Sequence, residues 1–325
     1  MIVLHEIERE DLYTKLYKEI HGKAPKADLN KKLDDTTFVK KNSIKQEEPK
    51  KKVTPQKDVP LFEIKNGILV KYNGNDEIVT ITDKINSISY LAFKDKNIKK
   101  LIISGSIKGF DLYNLDSLKN SLEELIIGDT VEELYNTKHT VLNELKYIEL
   151  GTSIRYISST TFSNYSKLEQ IKFNANEVHV SSWSFLSCKN LKNIINSEYI
   201  TNVDEKAFAG CSSLTSIKLP NIKKIHDEAF KDCGSLKEIE LGENLKYVGD
   251  NIFGECKSLE KIYFNADPSC LKRIVGEVSL YSLLKDCTSL KELHHKCKRA
   301  DLLPYLNDEN GKPWRIPFKT IRIKE

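Results

Sequence analysis

Cysteine and histidine are the residues here with the widest chemical reach, and the 325-residue chain has seven of each. Their densest combination is DCTSLKELHHKC, Asp286 to Cys297, which offers Cys287, His294, His295 and Cys297. Structural zinc sites bring ligands in closely paired spacings, and this set is irregular. The histidines at 5, 21, 139, 179, 226, 294 and 295 combine with no serine, cysteine and acid in a recognised local arrangement. Gly-x-Gly occurs nowhere and G-x-x-x-x-G-K-[ST] is absent, so no loop is built to cradle phosphate. The chain therefore reads as non-enzymatic, with no catalytic, cofactor-binding or metal-binding residue to nominate.

The cysteines make more sense as parts of a repeat. Phe185, Cys188 and Leu191 recur as Phe208, Cys211 and Leu214, as Phe230, Cys233 and Leu236, and as Phe253, Cys256 and Leu259. Phe162, Tyr165 and Leu168 keep the spacing with tyrosine in the cysteine slot, and Leu284, Cys287 and Leu290 keep it with leucine in the phenylalanine slot. The phenylalanines from 162 to 253 step by 23, 23, 22 and 23 residues. Cys188, Cys211, Cys233, Cys256 and Cys287 should then stack as a buried, reduced ladder, since free cysteine packs as a small hydrophobe. Cys270 and Cys297 fall outside it.

What positions that ladder is a second periodic set of apolar-x-apolar pairs. These are Leu101/Ile103, Leu125/Ile127, Ile148/Leu150, Ile171/Phe173, Ile194/Asn196, Ile217/Leu219, Ile239/Leu241, Ile262/Phe264 and Leu293/His295. Alternation over three residues is a short strand with one buried face. Nine such strands stacked in parallel, about 4.8 Å apart, predict a curved sheet roughly 40 Å long. Each coil exposes its apolar face until a neighbour covers it, which is why the unit must be copied. The fold class is a β-rich, right-handed leucine-rich-repeat solenoid of 22–24-residue coils, with a parallel sheet on one face and short helical turns and strands elsewhere.

Segments such as VDEKAFAGCSSLTSIKLP and IHDEAFKDCGSLKEIELGENLKYVGDNIF resemble the BspA-type class of leucine-rich repeats over about residues 61–299. Between about 104 and 145 the pattern departs, with Asp116 and His139 in the phenylalanine slot. The resemblance implies a binding protein without a catalytic group in the repeat, often displayed on a bacterial surface.

Outside the repeats, residues 1–20 read as an amphipathic helix, its face made of Tyr13, Leu16, Tyr17 and Ile20, which docks or frays. Residues 21–60 read as a flexible basic linker. The solenoid, 61–299, opens with a hairpin cap turning at Asn66-Gly67. Residues 300–325 close it, with Trp314, Ile316, Phe318, Ile321 and Ile323 as a C-terminal cap. An insertion at 265–286 lengthens one coil.

The net charge of +4 divides into +3 in residues 1–60 (14 Lys+Arg against 11 Asp+Glu), +1 in 300–325 (5 against 4) and zero in between (32 against 32). A neutral solenoid lacks the basic stripe that a nucleic-acid partner requires. The start, MIVLHEIEREDLYTKLYKEI, reads as neither an export signal nor a membrane span, which points to a cytoplasmic protein, with particle association or non-classical export as alternatives. The expected function is a recognition scaffold binding a protein, or a glycan, through the sheet face and its edges, with no membrane partner. The competing expectation is a structural component of a larger assembly, such as a viral or phage particle, tethered through the N-terminal arm. Strand alternation projects Ile102, Ile126, Tyr147, Ile195, Lys218 and Tyr263 outward, and these are the candidate ligand-binding residues.

Overall fold

The computed structural model describes residues 59–82, 85–266, 283–284 and 286–295. The proposed N-terminal helix, nearly all of the linker, the C-terminal cap, most of the insertion, Cys270 and Cys297 lie outside the described residues.

The described chain begins with the antiparallel hairpin Phe62–Lys65 and Ile68–Tyr72. Asn66 and Gly67 both take positive φ, 50° and 77°, the conformation a tight two-residue turn needs. Ile68–Tyr72 then pairs in parallel with Ser87–Ile88, and Leu69 and Tyr72 are buried.

From there each coil contributes to three sides. On the first side six parallel strands stack: Ile78–Ile81, Lys100–Ile103, Glu124–Ile127, Tyr147–Leu150, Gln170–Phe173 and Asn193–Ile195. Four more follow: Ser216–Leu219, Glu238–Leu241, Lys261–Phe264 and Glu292–His295. All nine anticipated strands are present. Ile78–Ile81 is an additional one, hidden in the sequence because it follows the hairpin directly. The register keeps equivalent residues opposite, for example Ile217 with Ile239 and Leu219 with Leu241.

The single continuous sheet expected here is instead divided in two, between Asn193–Ile195 and Ser216–Leu219. Asn196 occupies a slot that is apolar in most coils. It adopts the left-handed conformation (φ 60°), starts the 3-10 turn Ser197–Tyr199, and donates from Nδ2 to the Phe173 carbonyl at 2.6 Å. Ser197 Oγ reaches across to the Lys218 carbonyl at 2.8 Å. With Asn221 Nδ2 donating to the Glu198 carbonyl at 2.9 Å, side chains thus join these two coils on this side where strand backbone joins the others.

The second side is an unbroken seven-stranded parallel sheet: Gly109–Asp111, Glu133–Tyr135, Tyr156–Ile157, Val178–Val180, Ile200–Val203, Lys224–Ile225 and Tyr247–Val248. It bridges the two halves of the first side. Its inward residues, including Phe110, Leu134, Ile157, Val180, Val203, Ile225 and Val248, complete the core.

The third side carries the phenylalanine and cysteine columns. Phe162, Phe185, Phe208, Phe230 and Phe253 stack ring on ring, with centroids 5.2, 5.2, 5.5 and 6.1 Å apart. Residues of positive φ recur four positions apart, as at Trp183 (φ 58°) and Ser187 (φ 59°). Across that stretch the N–H groups of every second residue, Trp183, Phe185 and Ser187, donate to the carbonyls of Glu205, Ala207 and Ala209 in the next coil. Each cysteine thiol donates to the phenylalanine carbonyl of the preceding coil, as Cys211 Sγ does to Phe185 at 3.3 Å and Cys233 Sγ to Phe208 at 3.2 Å. All five ladder cysteines are buried and free. Burial pushes the Cys188 thiol up to about 12 and those of Cys211 and Cys233 well above their ordinary value.

Candidate interaction surface

The outward positions of the first side form two parallel rows. One runs through Ile78, Lys100, Glu124, Tyr147, Gln170 and Asn193. The other runs through Thr80, Ile102, Ile126, Glu149, Lys172 and Ile195. Beyond the division, the rows resume as Ser216, Glu238, Lys261 and Glu292, and as Lys218, Glu240, Tyr263 and His294.

Ile102 and Ile126 are therefore direct neighbours across one strand pair, and Tyr147 shares their face on the next strand. All three are half-buried rather than fully exposed. Strands only about 4.8 Å apart shade one another's side chains, and long polar neighbours fold alongside them. Lys100 Nζ meets Glu124 at 2.8 Å on one side of the pair. On the other side, Glu149 accepts from Tyr147 Oη at 2.9 Å, from Lys172 Nζ at 2.8 Å and from Asn174 Nδ2 at 2.9 Å. Burial alone would raise the Glu149 carboxyl, but those donors outweigh it and hold its pKa below the usual value. Burial, reinforced by the bond to Glu149, raises the Tyr147 phenol, which stays protonated.

The remaining candidates are not continuous with that patch. Ile195 sits half-buried on the last strand before the division. Lys218 lies beyond it with its side chain 71% exposed, 3.3 Å from Glu240. Tyr263 is half-buried and stacks on His294, with centroids 4.4 Å apart. His294 in turn meets Glu292 at 2.9 Å, while His295 faces the opposite way and is buried. Strand alternation thus separates the two adjacent histidines, and among the described residues no group of three His, Cys, Asp or Glu is placed to hold a metal ion.

Sequence reasoning missed a polar row on the second side. Tyr156, His179, Asp204, His226 and Tyr247 follow one another across successive coils there. Their signal was the same 22- to 23-residue step, from 156 to 179 and from 204 to 226. It went unread because the second strand of each coil was not traced.

Parallel strands at a constant coil length, a stacked aromatic column and outward rows without a catalytic constellation define a leucine-rich-repeat solenoid. The chain belongs to the family of BspA type leucine rich repeat regions, whose pattern matches in six copies over residues 71–192, 114–221 and 164–282. Repeat proteins of this kind are in general protein-interaction or scaffold modules. A T. pallidum leucine rich repeat protein is 19% identical, over 53% of this chain and 74% of its own, with a TM-score of 0.37. The pneumococcal vaccine antigen PcpA is 13% identical, over 77% of this chain and 68% of its own, with a TM-score of 0.43. An internalin of Listeria monocytogenes is 15% identical, over 70% of this chain and 80% of its own, with a TM-score of 0.30. No curated protein matches the chain. Among the described residues no helix is long and apolar enough to cross a membrane.

Proposed function

We propose that this chain is a non-catalytic recognition scaffold whose ligand is a protein, bound on the first side around Ile102, Ile126 and Tyr147. The observation that carries the reading is an aliphatic pair in register, flanked by the internally satisfied pairs Lys100–Glu124 and Glu149–Lys172. An apolar centre with a polar surround is the anatomy of a protein-binding hot spot, where the surround excludes water and the centre supplies the affinity. Neither isoleucine offers a hydrogen bond, so the matching surface must be apolar. Ile195, Lys218 and Tyr263 extend the footprint along the stack, with Lys218 supplying a rim charge.

The test compares partner capture by the chain and by its Ile126→Asp variant, with thermal unfolding measured on both. Capture should fall about tenfold or more while the cooperative transition is kept. Undiminished capture by a folded Ile126→Asp chain would remove this patch from the function.

A further inference from the structure

The seven-stranded sheet presents a row of different chemistry. Tyr156 lies against His179, with ring centroids 4.3 Å apart, and His179 Nε2 meets Asp204 Oδ2 at 2.8 Å. The other oxygen of Asp204 faces His226 Nε2 at 3.8 Å, and His226 lies against Tyr247, with centroids 4.8 Å apart. One carboxylate therefore hydrogen-bonds one imidazole and faces a second, and each imidazole lies against a tyrosine. The tyrosines are nevertheless 52% and 42% exposed. No packing demand explains an exposed aromatic braced in this way at each end of a polar row.

The row is also formally neutral. Asp204, the one acid of the row, is partnered by histidine, and Lys224, its one lysine, stands in register beside Asn202, so the formal charges of the row sum to zero. Glu177 and Lys223 pair alongside at 2.7 Å. One coil before Asp204, Ser181 holds the equivalent position, and its hydroxyl is buried with no hydrogen-bond partner among the described residues. A ligand held by charge would need a net charge here, and an apolar ligand would need an aliphatic patch. What the row offers is aromatic faces, an amide, and a carboxylate whose formal charge the row's one lysine balances.

That combination suits a molecule with C–H faces for the rings and many hydroxyls for the polar atoms between them. We infer that the Tyr156–Tyr247 row is a second recognition site and that it takes a neutral glycan chain lying along the stack axis. The tyrosines are four coil steps apart, about 19 Å at the usual strand spacing, so the ligand is an oligosaccharide rather than a single sugar. Asp204 and Asn202 meet its hydroxyls, and the tyrosines stack on sugars toward its two ends. The site is separate from the Ile102–Ile126 patch, so a protein and a glycan can be held at once.

The test applies the full chain to immobilised neutral oligosaccharides, alongside three folded variants: Tyr156→Ala with Tyr247→Ala, the same pair changed to Phe, and Ile126→Asp. At least one oligosaccharide longer than a disaccharide should be retained. Retention should weaken about tenfold or more in the alanine pair, roughly 1.4 kcal/mol or more, and persist in the phenylalanine pair, which keeps both rings. Ile126→Asp should leave it unchanged, so failure here is distinguishable from failure of the protein patch. The inference is overturned if no oligosaccharide is retained, if the alanine pair binds undiminished, or if the phenylalanine pair loses binding as fully as the alanine pair. Loss of protein capture in the alanine pair, with no glycan retained, would likewise overturn the ligand class.

Discussion

The coils around Phe185–Phe253 and those around residues 110–142 belong to one stack but close their third side by different means. In the later coils a phenylalanine column and a cysteine ladder fill that side, and the backbone N–H of every second residue carries the hydrogen bonds between coils. In the earlier coils neither column exists. The 3-10 helix Leu112–Leu118, capped by Asp111, buries Leu112, Leu115 and Leu118 instead. In the next coil the buried Asn136 side chain donates to the Thr140 and Thr161 carbonyls at 2.8 and 3.1 Å, doing with an amide what the later turns do with backbone. The contrast teaches that the strands demand only alternation and a constant coil length. The third side accepts any filling that buries apolar volume and satisfies its carbonyls.

The sharpest way to break this comparison is to remove one ring from the column. Phe208 is stacked on both sides, and Phe208→Ala should cost about 3–5 kcal/mol of unfolding free energy in denaturant titration. A loss under about 1 kcal/mol would mean that the column is filler. Cys233→Ala comes next, removing a small buried group and its donor to Phe208, with an expected loss of about 1–2 kcal/mol. In the unchanged chain the Cys211 and Cys233 thiols should resist labelling until the protein unfolds, because both are buried and their thiolates are disfavoured.

The earlier coils should be distinguished by binding rather than stability. Ile126→Asp should lower partner capture about tenfold or more and cost about 1 kcal/mol in stability, because the site is half-buried. A much larger stability loss would reassign Ile126 to the core.

Acid should reach the same patch through Glu149. Its folded pKa lies below its unfolded value, so its contribution is present above the unfolded pKa of about 4.3 and is lost as pH falls through the folded one. Unfolding followed from pH 6 downward should show stability dropping in that acid range, and Glu149→Gln should make the drop shallower. The smallest effect is expected in the later half, where Lys218→Ala removes one exposed ion pair and should change stability by no more than about 0.5 kcal/mol. A larger change would show that the Lys218 side chain helps hold the division beside it, which Ser197 otherwise bridges through the Lys218 carbonyl.

Much of this was legible without coordinates. The phenylalanine, cysteine and strand slots could be read because each is copied at one period, and copying makes a weak local pattern unmistakable. Asn196 was visible as the polar residue in an apolar slot, but an exception in one copy does not announce that a sheet divides there. The site was less legible. Alternation correctly turned Ile102, Ile126 and Tyr147 outward, yet it says nothing of how far the neighbouring coils shade them. Tyr263 was assigned outward on its own strand, and only register brings its ring onto that of His294.

Repetition, alternation and coil length are properties of the chain order, so the sequence by itself determined that this protein is a solenoid and which residues form its core. The pairing of His179 with Asp204, and of His226 with Tyr247, crosses coils diagonally, since the register sets His179 opposite Asn202 and Tyr247 opposite Lys224. Such contacts depend on the offset between one strand and the next, a quantity set by how the whole coil closes. Only the tertiary structure could decide it, because the register is fixed by the packing of all three sides at once.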